Sequence, residues 1–324
     1  MSRYMQKAGD EGTPGKRRRK ALGVVGLVLG LAAVVAGGAY LYQRLDARGE
    51  GGELDELIFD GQRAYQYALD QCAIGPRPPG SEAGWITGDY IIGQLEELGW
   101  EVGTQEFEYE GVPLRNIIGK LGQGPVAILG AHYDTRPVAD RDPEHPDEPI
   151  LGGNDGASGV AVLLELAAVL PHHEVRNEVR LAFFDAEDSG HLDGWPWCVG
   201  STFMAEELAV EPAYVIVVDM VGDRHQQLYY EANSDVPLRQ TLWHIAADLG
   251  YDEFIPRVRH SIVDDHLPFA RKGIPAVDII DFDYPYWHTT DDTCERVGPE
   301  SLERVGRVLE EFLMGAHLTG GAGQ

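Results

Sequence analysis

Two adjacent carboxylates, Glu187 and Asp188, follow an apolar run at residues 179–184. Functional groups in open α/β sheets gather where parallel strands end, so the pair is well placed for chemistry if this run is such a strand. One carboxylate could then bind a metal ion while its neighbour moves protons. The alternative is a solvated acidic turn, because acidic pairs after strands are common and most are only solvated.

Further carboxylates and imidazoles stand at the ends of other apolar runs. They are His132, Asp134, Asp155, Asp219 and His288. Each alone has an ordinary explanation, since such an aspartate usually caps a helix or forms a turn, and a histidine beside aromatic residues usually lies in a core. Together they offer the ligands that zinc accepts where cysteine is absent, enough for two ions that share one carboxylate. A metal would also remove the rise in pKa that crowded carboxylates otherwise suffer.

Alternating strands and helices must position these residues. Apolar runs predict strands at residues 101–109, 116–121, 125–129, 179–184, 214–219 and 274–280. Amphipathic or capped segments predict helices at residues 54–67, 81–98, 152–170, 201–208, 236–249 and from Pro299 onward. The alternation is typical of a doubly wound α/β fold around a mostly parallel sheet. A proline-rich acidic loop at residues 135–150 is long enough to be functional or mobile.

The N-terminal segment has the pattern of a membrane anchor. Residues 1–20 end in five consecutive basic residues, and residues 21–43 carry no charge. About twenty apolar residues span a bilayer, and basic residues ahead of the span predict a cytoplasmic N-terminus with the rest of the chain outside the cytoplasm. A cleaved signal peptide is the alternative, although its apolar core should be shorter, at about 7 to 15 residues.

The expected organisation follows from this pattern. It comprises a basic cytoplasmic tail (1–20), a transmembrane helix (21–43), a linker (44–53), a catalytic domain (54–318) and a flexible tail (319–324).

The negative charge of the chain after its basic N-terminal tail limits the partners that it can bind. The chain has a formal charge of −27, and residues 21–324 carry 19 basic against 51 acidic side chains, a charge of −32. This excludes nucleic acid as a partner and leaves the N-terminal helix as the expected contact with a membrane. Ligands with a free amine suit the charge better.

Three cysteines, Cys72, Cys198 and Cys294, lie far apart and lack the paired spacing of a metal site. Neither a disulfide framework nor a cysteine zinc site is therefore indicated. The favoured interpretation is buried or half-buried thiols, with a single disulfide as the alternative.

Eight sequence blocks resemble the family of zinc aminopeptidases that also includes the animal-type glutaminyl-peptide cyclotransferases. In order they are Gly75-Pro76-Arg77-Pro78-Pro79-Gly80-Ser81, Asn116-Ile117-Ile118-Gly119, His132-Tyr133-Asp134, Asn154-Asp155-Gly156, Glu187-Asp188, Asp219, Asp264-Asp265-His266 and Trp287-His288-Thr289. The resemblance runs from Gly75 to about His317, and with the N-terminal segment it suggests a membrane-anchored bacterial member. It implies a three-layer sandwich, with a mostly parallel, mixed central sheet flanked by helices and preceded here by one transmembrane helix.

The resemblance also implies roles for single residues. One zinc ion would be held by Asp155, Asp188 and His288, and a second, where present, by His132, Asp219 and the shared Asp155. Glu187 would be the general base, and Asp134 would accept the second ring proton of His132. Asp264 is also expected to be a catalytic residue. Asp188 departs from the glutamate that is commoner in the family, but the shorter side chain can still bind a metal.

Two chemistries use this apparatus within the family. In the cyclotransferases one zinc polarises the side-chain amide of an N-terminal glutamine, and the peptide's own amine attacks it to give pyroglutamate and ammonia. In the aminopeptidases two zinc ions activate a water, and the peptide bond after the N-terminal residue is hydrolysed. Either way the expected substrate is the free N-terminus of a peptide or protein.

Aromatic residues favour the cyclotransferase by a narrow margin. The positions resemble those that line the substrate pocket in that branch, namely Trp287, Trp195 and His266. The alternative for Trp195 and Trp197 is simple packing within a surface loop. Against it, Asp278 stands where those enzymes usually carry a histidine, and the loop before Asp155 differs in content. A catalytically inactive, receptor-like scaffold is a remote third interpretation, because every ligand position is filled.

Overall fold

The computed structural model of the protein describes residues 56–315. The chain divides into two units after Glu56, and the elements below belong to the unit that begins at Leu57. Among these residues the helices are α1 (Gly61–Ile74), α2 (Glu82–Glu97), α3 (Ala157–Val169), α4 (Val199–Glu206), α5 (Val236–Leu249), α6 (His266–Ala270) and α7 (Pro299–Met314). The strands are β1 (Glu101–Tyr109), β2 (Val112–Leu121), β3 (Val126–His132), β4 (Glu178–Phe184), β5 (Tyr214–Asp219), β6 (Leu228–Glu231), β7 (Phe254–His260) and β8 (Ala276–Ile280).

One mixed sheet forms the centre of the fold, with the strand order β1-β2-β4-β3-β5-β8. Strands β4, β3, β5 and β8 run parallel, whereas β2 is antiparallel to both of its neighbours. Strands β3, β5 and β8 are buried along their whole length, as expected for parallel strands covered on both faces. The predicted α/β fold with a mixed central sheet and flanking helices is therefore confirmed.

Each face of the sheet has its own apolar core, because successive residues of a strand point to opposite faces. On β4, Leu181 and Phe183 join the larger core, to which α1, α2, α3, α5 and α7 contribute. Ala182 and Phe184 join the smaller core on the other face, where α4 and α6 contribute. The central strands are thus held between two layers of helices.

The close approach of α3 to β5 depends on Gly159. A Cβ atom at this position would lie 2.2 Å from the carbonyl oxygen of Val218, which no side chain allows. Glycine lets the first turn of α3 rest against the end of β5. As a result Asp155, just before α3, lies beside Asp219, the last residue of β5.

The first helix begins later than the predicted 54–67, at Gly61. The Asp60 carboxylate accepts the N–H groups of Gln62 and Arg63 and so caps the helix there. Just before the cap, the N–H groups of Ile58 and Phe59 donate to the buried carboxylate of Glu310, which holds this stretch out of helical conformation.

Cys72 and Cys294 form a disulfide, and Cys198 is a buried free thiol. The favoured interpretation of three thiols is therefore wrong for two of the cysteines. The bond joins α1 to the turn before α7 across a sequence separation of 222 residues. Only the packing of α1 against the C-terminal part of the fold brings the two sulfurs together, and spacing in the sequence carries no sign of it.

A second, two-stranded parallel sheet of β6 and β7 was not predicted. Strand β6 has only four residues, and four of the seven residues of β7 are exposed, so neither has a clear apolar pattern.

Within residues 56–315, no helix has the length and apolar character needed to cross a membrane. The expected tail (1–20), transmembrane helix (21–43), linker (44–53) and C-terminal tail (319–324) lie outside the described residues.

Candidate metal centre

The predicted ligands meet at the carboxyl edge of the parallel strands. His132 ends β3 and Asp219 ends the neighbouring β5. Glu187 and Asp188 follow β4, on the other side of β3. Strand order therefore brings together residues that are far apart in sequence, as expected for an open α/β sheet.

One cluster is centred on His132. Its Nε2 atom lies 3.1 Å from Oδ1 of Asp219 and 3.2 Å from Oδ1 of Asp155. One potential ligand atom from each residue falls within a group no more than 4.8 Å across, which is close enough to hold a metal ion.

A second cluster is centred on His288, in the segment between β8 and α7. Its Nε2 atom lies 3.1 Å from Oδ1 of Asp188 and 3.9 Å from Oδ2 of Asp155. These three residues also fall within 4.8 Å of one another. Asp155 belongs to both clusters, each through a different oxygen.

The second cluster fits a zinc ion, on the evidence of its buried atoms. Oδ2 of Asp155, both carboxylate oxygens of Asp188 and Nε2 of His288 are buried without a hydrogen-bond partner among the described residues. Buried polar atoms are costly unless satisfied, and a divalent cation would satisfy all four. Imidazole and carboxylate are ligands that zinc accepts.

Burial raises the affinity of two of the carboxylates for protons. Burial, followed by the charge of Asp155, raises the pKa of Asp188 to about 6. Burial likewise raises the pKa of Asp219 to about 7, although the hydrogen bond to His132 opposes it. A bound cation would stabilise the ionised forms of both, so the electrostatics favour metal in this site.

Asp134 orients the centre in two ways. Its main-chain carbonyl lies 3.2 Å from Nδ1 of His132, and its carboxylate oxygen lies at 3.5 Å. The same carboxylate accepts the N–H groups of Glu187 and Asp188, at 3.0 and 3.1 Å. Sequence reasoning gave Asp134 only the contact with His132; the structure adds that its carboxylate fixes the turn that carries the acidic pair.

The loop at residues 135–150 supplies a partner for His288 that the sequence did not reveal. Oδ1 of Asp140 lies 3.1 Å from Nδ1 of His288. Arg136 donates to both oxygens of Asp140, at 2.9 and 2.7 Å, and to the main-chain oxygen of Asp188 at 3.1 Å. The guanidinium thus contacts Asp188 directly and His288 through Asp140. The length of this loop was the only hint of its role.

Asp292 fixes the shared ligand and was also missed. Its carboxylate accepts the N–H groups of Asn154 and Asp155, at 2.8 and 3.1 Å, and the hydroxyl of Tyr284 at 2.7 Å. A lone aspartate in a loop carries no sequence signal of this kind.

Left-handed backbone conformations surround the ligands. Ala186, Met220 and His288 have φ angles of 58°, 45° and 59°, which non-glycine residues rarely adopt. Ala186 directly precedes Glu187, Met220 directly follows Asp219, and His288 is itself a predicted ligand. Such conformations persist only where the surrounding structure enforces them, and they gather at functional sites.

Glu187 lies at the wall of a cavity of about 220 Å³ and belongs to neither cluster. Burial raises its pKa well above the usual range, and Asp264 and Asp188 add to the effect, while His132 opposes it. The thiol of Cys198 donates to Oε1 of Glu187 at 3.5 Å. This buried carboxyl group is therefore suited to hold a proton and release it at the wall of the cavity.

The cavity joins the acidic centre to an apolar wall. Asp155, Asp188, Asp219 and Asp264 line it together with Glu187. The apolar side consists mainly of Trp197, Met220, Ile262, Val263, Ile280, Phe282 and Trp287. The rings of Trp197 and Trp287 both pack against the ring of His288.

Two predicted substrate contacts lie elsewhere. Trp195 packs against Tyr109 in a separate apolar cluster, so Trp197 takes the place in the wall that was predicted for it. His266 is fully buried, with Nε2 3.2 Å from Glu231 and Nδ1 3.8 Å from Asp278. It does not line the cavity, because these acidic groups draw it into the protein behind the wall.

Asp264 does line the cavity, as its predicted catalytic role requires. Behind it, burial raises the pKa of Asp278 well above the usual range, and the carboxyl group of Asp264 adds to the effect.

Comparison with known proteins assigns this arrangement to a family. The family model of peptidase family M28 matches residues 116–313. The chain belongs to peptidase family M28.

Solved structures of similar proteins include members with different activities. A glutaminyl cyclase and a leucine aminopeptidase precursor, both from Bacteroides thetaiotaomicron, are each 33% identical, with a TM-score of 0.75 and 79% of this chain covered. The comparison covers 98% and 97% of those two chains. A Zn-dependent exopeptidase from Parabacteroides distasonis is also 33% identical, with a TM-score of 0.74 over 79% of this chain and 98% of its own.

The M28 protein is therefore a zinc-dependent enzyme that acts on peptides. The family, the similar structures and the two clusters of ligands agree on this. They confirm the resemblance seen in the sequence and the expected zinc cofactor. They leave both cyclisation and hydrolysis open.

Proposed function

We propose that this M28 enzyme is a glutaminyl-peptide cyclotransferase, which closes an N-terminal glutamine to pyroglutamate with loss of ammonia. The carrying observation is the small cavity of about 220 Å³, in which Glu187 faces Trp197, Phe282 and Trp287. A space of this size suits a single glutamine side chain. Similarity to a glutaminyl cyclase structure over 79% of the chain supports the same proposal.

Residues of both clusters would hold the metal, with Asp155, Asp188 and His288 as the principal set. When bound there, zinc supplies a positive charge that polarises the side-chain carbonyl of the substrate glutamine.

Glu187 would then move the proton. Its carboxylate takes a proton from the attacking α-amine, whose nitrogen forms a bond to the side-chain carbonyl carbon. As the bond from that carbon to the amide nitrogen breaks, Glu187 returns the proton to the departing nitrogen, which leaves as ammonia. The raised pKa of Glu187 suits a group that both accepts and donates. Asp264 faces the same cavity, and its charge helps to keep the pKa of Glu187 raised.

The apolar wall would exclude water from this exchange. Trp197 and Trp287 pack on His288 and would keep the glutamine side chain pressed toward Glu187. Exclusion of water favours attack by the amine over hydrolysis of the amide.

A direct test offers Gln-β-naphthylamide and Leu-β-naphthylamide to the purified protein with zinc. We expect Gln-β-naphthylamide to give pyroglutamyl-β-naphthylamide and ammonia, with no free naphthylamine from either compound. Release of naphthylamine from the leucine compound would instead identify an aminopeptidase.

Hydrolysis by an aminopeptidase is the alternative, and one observation favours it. The first cluster, of His132, Asp155 and Asp219, is complete and shares Asp155 with the second, so both could hold zinc at once. In that case Glu187 would take a proton from the attacking water. The inactive-scaffold interpretation gains no support, because Glu187 and both clusters are present.

We also propose that residues 21–43 anchor the chain in a membrane, with residues 1–20 in the cytoplasm and a catalytic domain of residues 54–318 outside it. The disulfide between Cys72 and Cys294 supports this location, since disulfides persist mainly in oxidising compartments. Protease added to intact cells should then digest the catalytic domain. Protection of that domain until the membrane is broken would contradict the proposal.

A further inference from the structure

A second, more open cavity adjoins the first. It has a volume of about 570 Å³ and is lined by Arg141, Phe282, Tyr284, Pro285, Trp287 and Thr289. Phe282 and Trp287 line both cavities, so their rings form a shared wall. The two cavities therefore meet at these two rings.

The long loop fixes Arg141 at this place through three successive residues. Asp140 contacts the ring of His288, and the N–H of Arg141 donates to the main-chain oxygen of His288 at 3.2 Å. Asp142 accepts the N–H and the hydroxyl of Thr290. The guanidinium of Arg141 lies 3.9 Å from the centre of the Trp287 ring.

The charge of Arg141 remains available. No acidic side chain of the described part pairs with its guanidinium, since Asp140 is engaged by Arg136 and His288, and Asp142 by Thr290. Arg141 is also the only cationic side chain among the residues that line the two cavities. It stands out in a strongly acidic domain, where most surfaces repel anions.

We propose that the second cavity binds the part of the peptide that follows the N-terminal residue, and that Arg141 recognises a carboxylate there. The carboxylate belongs either to an acidic side chain at position two or three or to the C-terminus of a very short peptide. This inference rests on the proposed action at peptide N-termini, and it holds for cyclisation and for hydrolysis alike. It makes Arg141 a specificity-determining residue.

Matched pairs of peptides test the role of Arg141. Each peptide begins with residue X, which is glutamine or leucine, whichever the enzyme turns over. For position two, kcat/KM for X-Glu-Ala-amide is compared with X-Gln-Ala-amide. For position three, X-Ala-Glu-amide is compared with X-Ala-Gln-amide. For the C-terminal carboxylate, X-Ala with a free carboxylate is compared with X-Ala-amide.

The wild type should prefer the acidic member of at least one pair by about two- to five-fold, the range of an exposed ion pair. The preference should appear in KM and fall toward one at high salt. Arg141→Gln should abolish it, whereas Arg141→Lys should keep part of it. Arg271→Gln, which removes an exposed charge from outside both cavities, is the matched control and should leave it unchanged.

Three outcomes separate this inference from the proposed function. Turnover with no acidic preference, or a preference that survives in Arg141→Gln, would overturn the role of Arg141 and leave the action on N-termini intact. Failure to turn over any of the peptides would overturn the proposed function. Fluorescence anisotropy with labelled Gln-Glu-Ala-amide, Gln-Ala-Glu-amide and Gln-Ala peptides then still judges Arg141. Equal affinities of the wild type and Arg141→Gln for all three peptides would overturn the subsite, and weaker binding of any one of them by the variant would support it.

Discussion

The carboxylate of Asp140 lies 3.1 Å from Nδ1 of His288 and so ties the long acidic loop to a proposed zinc ligand. The other ring nitrogen of His288 faces Asp188. A partner of this kind fixes the orientation of a histidine ligand and raises its basicity. The loop therefore contributes to the metal centre without supplying a ligand.

Replacement of Asp140 by asparagine should weaken zinc binding by about 10- to 100-fold, as is usual for the partner of a ligand histidine. Competition with a chelator measures the affinity directly. Asp147→Asn changes an exposed residue of the same loop and serves as the control. Equal affinities of Asp140→Asn and the wild type would show that His288 needs no such partner.

Glu187→Gln should abolish turnover and retain zinc, because it removes the proton carrier and none of the proposed ligands. Metal analysis of the purified variant beside a rate assay decides the matter. If the variant lost its zinc, the roles of Glu187 and Asp188 would be exchanged.

Zinc stoichiometry should separate the two clusters. Asp155→Asn changes the shared ligand and should lose all bound zinc, whereas Asp219→Asn should keep the ion at Asp155, Asp188 and His288. Asp264 lines the cavity but belongs to neither cluster. The Asp264→Asn variant should therefore bind as much zinc as the wild type does. Loss of all zinc from Asp219→Asn would contradict the independence of the second cluster.

The two tryptophans after the acidic pair should behave differently. Trp197→Ala opens the wall of the cavity and should raise KM by about ten-fold, which corresponds to roughly 1.4 kcal/mol of lost contact. Trp195→Ala should leave KM unchanged and lower the free energy of unfolding by about 1 to 3 kcal/mol, since Trp195 is partly buried against a separate apolar cluster. Steady-state kinetics and urea unfolding on both variants measure these effects, and a reversed pattern would restore the original prediction for Trp195.

The pH dependence of stability should report on Asp281. Burial, with Asp223 nearby, raises the pKa of Asp281 to about 7. Because the folded domain binds this proton more tightly than the unfolded chain does, the stabilising contribution is complete below about pH 4 and is lost as the pH rises through 7.

Asp281→Asn cannot ionise, so its free energy of unfolding should fall less between pH 5 and pH 8, by up to about 3 kcal/mol. Urea unfolding at both values, with zinc saturating throughout, gives the comparison. Asp252→Asn, at an exposed position, is the control and should keep the wild-type pH dependence. An unchanged difference in Asp281→Asn would mean that this carboxyl group does not change its ionisation between pH 5 and pH 8.

The strands and their acidic ends could be predicted because they are local signals. Apolar runs such as 179–184 and 214–219 set the sheet, and the parallel order then brings their ends together. The members of the two clusters were all among the candidates for this reason. Their roles as ligands stay predictions until zinc is measured.

What the sequence could not show depends on contacts between distant loops. Asp140 and Asp292 act through hydrogen bonds to segments more than one hundred residues away, and neither belongs to a periodic pattern. The choice between Trp195 and Trp197 depends on the path of a short turn. His266 follows the conspicuous pair of aspartates, yet Glu231, a buried residue of the unpredicted strand β6, determines where its side chain goes.

The disulfide between Cys72 and Cys294 closes a covalent ring that contains every residue of the two clusters, together with Glu187 and the long loop. A single cut by a protease inside this ring, for instance at the exposed residues 143–149, would leave the two fragments joined. Such a nicked molecule would run as one species until it is reduced. The bond therefore keeps the two halves of the metal centre on one covalent molecule after the main chain has been broken.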